Sequence, residues 1–305
     1  MNTVIRLGAY VIGLVTLFAV ATGVGRTVGP VSAPAPEHTE AVGHTDAVGH
    51  DEAEGHSAGV HEQPVPEVPG GLMVSDHGYT MALARTTLPA GSATPVSFRI
   101  LGPDGEPVTD YDVLHDEALH LIAVRRDLSG YQHVHPELDS NGRWRLPLSL
   151  TPGSWRVFAD FAPTALEDNL ILGADVSVRG TYRPQPLPTA ATTAAVDGYT
   201  VMLEGELTPG EESELTMSVS RDGEPVTDLE PYLDAYGHLV VLRAGDLAYL
   251  HVHPAGEPGD GSTQSGPEVT FFTSVPSPGA FRLFLDFKHE GVVRTAALTV
   301  RAGSS

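Results

Sequence analysis

Cysteine is absent from the 305-residue chain, which excludes disulfide frameworks, thiolate metal sites, a lipidated cysteine and cysteine nucleophiles. Positive charge is scarce. Lys and Arg number 17 against 39 Asp and Glu, a formal net charge of −22. A polyanion repels phosphate backbones, so no nucleic-acid partner is expected and cations or neutral molecules are. Methionine is sparse, with Met73, Met81, Met202 and Met217 beyond the start; without thiolates beside them, these argue against a dedicated Cu(I) site. Charged residues make up only 18% of the chain and hydrophobic ones 41%, enough apolar material for packed cores. Glycine and proline are plentiful, at 33 and 25. So many turn formers between short segments suit an all-β protein.

The N-terminus addresses the compartment. Leu7 to Gly25 carry no charge, and a helix of that length nearly crosses a hydrocarbon core of about 30 Å. The run exceeds a typical signal core, so residues 1–30 read as an uncleaved signal anchor, a single-pass transmembrane helix with the bulk of the chain extracytoplasmic. Arg26, just beyond the run, works against that orientation. Cleavage after Ala21 or Ala33 would instead leave a secreted form.

Residues 31–71 are rich in Pro, Ala, Gly, Glu and His and show no hydrophobic periodicity, the composition of a disordered tether. His38, His44, His50, His56 and His61 recur at spacings of 6, 6, 6 and 5 among acidic residues. Imidazoles and carboxylates on a flexible chain can wrap a divalent ion weakly; a solvated spacer grown by repeat slippage would look the same.

The folded part is duplicated. DGEPVTD at Asp104 to Asp110 returns letter for letter at Asp222 to Asp228, an offset of 118 that also carries His120 to His238, Tyr131 to Tyr249, His133 to His251 and His135 to His253. FADF at Phe158 to Phe161 matches FLDF at Phe284 to Phe287 at offset 126, so the second copy has a longer loop in GEPGDGSTQSG. The expected organisation is repeat 1 over 72–180, a linker over 181–194 and repeat 2 over 195–302. In repeat 2 the short runs YTVMLEG, SELTMSVS, HLVVLRA, AYLHVHP, EVTFFTSV, AFRLFLDFK and RTAALTV read as strands. They predict two tandem immunoglobulin-like antiparallel β-sandwich domains, with a small barrel as the alternative.

The chemistry lies in what both copies kept. His133 and His135, two apart on a strand, point to one sheet face. If HLIAV and YQHVH pair across their turn, His120 falls opposite His133 or His135. Asp160 sits among phenylalanines, and a buried carboxylate needs a partner such as a metal or a metal-bound histidine. The expected metal residues are therefore His120, His133, His135 and Asp160 in repeat 1, and His238, His251, His253 and Asp286 in repeat 2. Each set is expected to form its own three-imidazole site. Imidazoles bonded to backbone carbonyls at a turn would be copied equally well. His115 aligns with Leu233, and His77 has no counterpart; both read as surface or accessory histidines.

At GHLVVLRAGDLAYLHVHP (Gly237 to Pro254) and PGAFRLFLDFKHEGVVRTAALTV (Pro278 to Val300), the chain resembles bacterial extracytoplasmic domains associated with heavy-metal, especially copper, handling. The resemblance covers both repeats and implies a metal partner without a settled activity. His-Val-His is similar to the copper-ligand strand of copper/zinc superoxide dismutases. That likeness spans three residues, and the bridging cluster and cysteine pair of that family are missing, so dismutase activity does not follow.

Together these features predict a non-enzymatic, membrane-anchored protein that binds or buffers Cu(II) or Zn(II), with a membrane metal transporter or chaperone as a partner. The alternatives are an interaction module of two sandwiches on a stalk and, with less support, a metal-dependent enzyme.

Overall fold

The computed structural model describes residues 68–303, within a unit that spans Pro64–Ser305 and contains both repeats. The expected anchor and tether, with His38, His44, His50, His56 and His61, lie outside the described residues. Among the described residues no helix is long and apolar enough to cross a membrane.

The architecture is all-β, in two repeats. In the first, one sheet is built on the strands Tyr79–Leu83, Gly91–Leu101 and Trp144–Leu150, and a second on His120–Arg125, Gly153–Pro163 and Leu170–Val178. Trp144–Leu150 alternates strictly between buried and exposed positions, the period of a sheet with one face on a core. Its inward residues pack with Leu121, Ala123, Trp155 and Val157 of the facing sheet, making a sandwich. The second repeat copies the plan, with Tyr199–Glu204, Glu212–Arg221 and Glu268–Ser274 facing His238–Arg243, Gly279–His289 and Val292–Ala302.

His120–Arg125 departs from alternation and is buried throughout. The physical reason is a second layer of packing. Leu121 and Ala123 enter the repeat's own core, while Ile122 and Val124 point the other way, into a cluster with Phe158 of repeat 1 and Val240, Leu242, Tyr249 and Phe284 of repeat 2. The continuous apolar runs HLIAV and HLVVL thus mark strands covered on both faces, which is how the two repeats dock.

The docking is reciprocal. Tyr131 stacks on Phe284 with ring centres 3.9 Å apart, and Tyr249 meets Phe158 edge-on at 5.6 Å. The incoming chain adds a strap at this joint. The Gly71 amide donates to the Ile171 carbonyl at 2.7 Å, and the Gly70 carbonyl accepts from the Tyr249 amide at 3.0 Å. At Gly71, with φ of +71°, a Cβ would fall 2.4 Å from the Phe158 ring, so the close approach requires glycine.

Candidate metal centre

Strand parity decides which histidines can meet. His120 shares a face with Ile122 and Val124, and Asp160 shares one with Phe158, so the polar groups of repeat 1 point at repeat 2 rather than into their own core. Leu121 pairs with Val134 and Ile122 with His133, the register that sets His120 against His135. The result is that ring nitrogens of His120, His133 and His135 all lie within 4.8 Å of one another.

Each ring is held from behind. His120 Nε2 donates to the Leu114 carbonyl at 2.9 Å, which leaves its Nδ1 with a lone pair. His133 Nδ1 donates to the Asp286 carboxylate at 2.9 Å. His135 Nδ1 faces Glu117 at 3.5 Å, while its Nε2 is buried without a hydrogen-bond partner. His120 Nδ1 and His133 Nε2 then confront each other at 3.1 Å. With both rings neutral, two lone pairs face one another, an arrangement that calls for a cation or a proton between them. Nitrogens on a tetrahedral ion lie about 3.3 Å apart, given metal–nitrogen bonds of about 2.0–2.1 Å.

Burial, reinforced by the neighbouring imidazoles, pushes His120 down to about 3 against the opposing bond to Leu114, and burial with His133 pushes His135 down to about 4. These rings stay neutral at physiological pH, the form that ligates metals.

The carboxylates are crossed between repeats. Asp286 pairs in register with His238 of its own repeat, yet its side chain bonds His133 of the other and accepts from Thr295. Asp160 accepts from Asn169 Nδ2 at 2.8 Å, and burial raises its pKa. Asp160 and Asp286 each face the other repeat's tyrosine: burial and the nearby carboxylate push Tyr249 and Tyr131, respectively, well above the usual phenol range. The Tyr131 hydroxyl is buried beside Asp286 without meeting it in good hydrogen-bond geometry.

Repeat 2 does not assemble the matching triad. The expected strand AYLHVHP is broken at His251: Tyr249–Leu250 pairs with His238–Arg243, but Val252–Pro254 crosses to pair with Glu268–Ser274 of the opposite sheet. His251 and His253 are exposed, with ring centres 4.7 Å apart. His238 lies instead with repeat 1, its ring centre 4.9 Å from His133 and 5.7 Å from His120. His115, on an exposed turn, comes within 5.7 Å of His238 and 6.1 Å of His120 by ring centres. His289 is tied to Tyr199 and Asp228, and His77 to Asp76, away from the cluster. The backing groups Leu114 and Glu117 escaped sequence reasoning because a carbonyl leaves no letter and a lone glutamate in an acidic chain leaves no contrast. Tyr131 did leave one, being retained at Tyr249.

The fold and this cluster define a tandem-repeat β protein with a histidine centre at the joint between its repeats. Residues 73–176 and 194–304 match the family described as "Domain of unknown function (DUF8832)". The chain belongs to that family. No curated protein matches it significantly. Among solved structures, similarity is found to the Escherichia coli adhesin FdeC, at 16% identity over 75% of this chain and 65% of that one, with a TM-score of 0.24. The Yersinia pseudotuberculosis adhesin InvE matches at 13% identity over 73% and 58%, with a TM-score of 0.23. The chain spans less than two thirds of either structure, and likeness at these TM-scores carries no functional argument.

Proposed function

We propose that the protein binds a divalent transition metal, Cu(II) or Zn(II), at His120, His133 and His135, and serves to capture or buffer the ion rather than to catalyse a reaction. The observation that carries this reading is the confrontation of His120 Nδ1 and His133 Nε2 at 3.1 Å, with the far nitrogen of each ring held by an oxygen acceptor. Such outer acceptors orient metal-ligating imidazoles and raise their basicity. An all-imidazole set suits borderline ions.

In the same reading the repeats are immunoglobulin-like, an N-terminal anchor places them outside the membrane, and a disordered tether with His38, His44, His50, His56 and His61 gathers ions weakly. Metal would pass to or from a membrane transporter or chaperone, in keeping with the resemblance to copper-associated domains.

The test is metal analysis and titration calorimetry of the full chain with Zn²⁺ and Cu²⁺, beside a His133→Ala/His135→Ala variant. The expected result is one tight site lost in the variant, with the metal-free fold retained. A wild-type chain that gains no stability from either ion, with a variant that is itself destabilised, would make the histidines structural and favour the interaction module.

A further inference from the structure

Three imidazoles leave a tetrahedral ion one position short, and a further ring stands beside the triad. Ring centres in the triad are 5.4 Å apart for His120 and His133, 5.0 Å for His120 and His135, and 5.1 Å for His133 and His135. With metal–nitrogen bonds of about 2.0–2.1 Å, ring centres sit about 3.2 Å from a tetrahedral ion and hence about 5.2 Å from each other. The triad already has that spacing.

His238 approaches from the other repeat, its ring centre 4.9 Å from that of His133 and 5.7 Å from that of His120, beside rather than within the group whose nitrogens converge within 4.8 Å. No hydrogen bond to either of its ring nitrogens is found among the described residues, whereas its counterpart His120 is tied at both. Backbone pairing sets His238 opposite Asp286, so the same strand pair that delivers the carboxylate to His133 delivers this ring. His115, the other imidazole near the cluster, is exposed, on a turn with φ of +49°, and farther from His120.

We propose that His238 is the fourth ligand, so that a single ion is bonded by both repeats at once and the chain holds one tight ion rather than two. The assignment rests on the metal-binding reading above. It deepens that reading in two ways. A closed four-imidazole shell leaves no position for a substrate, which suits storage over catalysis. It also makes the ion a staple across the repeat joint, so metal occupancy and docking stabilise each other.

The experiment uses the full chain with alanine at the five tether histidines, so that the weak sites do not interfere. Substoichiometric Cu²⁺ fills only the tightest site, and pulsed electron paramagnetic resonance counts the bound imidazoles. Co²⁺ reports four-coordination through its intense visible absorption. Four imidazoles are expected in the parent and three in His238→Ala and in His238→Phe, which retains an aromatic ring in the packed position. Affinity should fall by more than the roughly 100-fold that losing an outer partner costs. Hydrogen exchange should show metal protection of the joint on both repeats in the parent and on repeat 1 alone in the variants. His115→Ala should change none of these. Three imidazoles in the parent, parental affinity in both His238 variants, or transfer of the loss to His115→Ala would each overturn the fourth-ligand assignment and leave the triad standing. Failure of the parent to take up either ion would overturn the metal reading as well.

Discussion

His133-Val134-His135 and His251-Val252-His253 carry the same letters, yet only the first pair belongs to a cluster. In repeat 1 the strand Gln132–Val134 stays beside His120–Arg125. In repeat 2 the corresponding chain leaves its sheet at His251 and joins Glu268–Ser274. What differs is the sheet each pair is attached to. The edge at Tyr249 is also where the incoming chain pairs, through Gly70, a neighbour that repeat 1 lacks among the described residues. A metal-type motif therefore acquires chemistry from its partner strand, and two copies of one motif need not share a role.

The comparison breaks most sharply at the two histidine pairs. At a hundredfold excess of ion over Kd, binding to the folded state adds about 2.7 kcal/mol of apparent stability. His133→Ala/His135→Ala should abolish that gain, whereas His251→Ala/His253→Ala should keep it; thermal melts with and without Zn²⁺ read both. Equal losses would mean that the pairs act alike.

The crossed carboxylates give the next contrast. Asp286→Asn replaces the charged acceptor that orients His133 with a neutral amide and should weaken the tight site by about 10- to 100-fold. Asp160→Asn, bonded to Asn169, should leave affinity unchanged. Competition titrations against a chelator of known affinity would show whether the asymmetry holds.

Acid sharpens the same contrast in the chelated, metal-free protein. His120 and His135 are held down to about 3 and about 4 in the fold, against about 6.5 in an unfolded chain. Between those values the unfolded state binds more protons, so stability is fully present above pH about 6.5 and drains away as pH falls toward about 4 and about 3. The melting temperature should decline over that window, and His120→Phe should flatten the decline. The smallest effect belongs to Tyr131→Phe. Its buried hydroxyl faces Asp286 without a hydrogen bond of good geometry, so removing it should leave stability unchanged or raise it by about 1 kcal/mol in equilibrium denaturation.

Much of this was legible before any coordinates. Turn residues between short strand-like runs announced an all-β chain, the offset of 118 announced the duplication, and pairing of HLIAV with YQHVH brought His120 to His133 and His135. The docking of the repeats was written in HLIAV and HLVVL as well, since strands apolar on both faces must be covered twice. Two features were not legible. Asp286 reaches across to His133, because an exchange between repeats depends on how the sandwiches pack and leaves no spacing in either copy. His238 parts from His251 and His253, because a strand that changes sheets keeps its letters.

The reciprocal joint carries a consequence for how such a chain arises. One repeat alone presents both halves of the contact, the tyrosine-bearing strand and the strand bearing phenylalanine and aspartate, so two free copies would close on each other about a twofold axis as an isologous homodimer. Joined covalently, the halves meet at a high effective concentration set by the linker, and the assembly no longer depends on the abundance of the protein. Fusion also releases the pair from symmetry. One half can specialise as a cradle while its twin drifts, a freedom that no homodimer has.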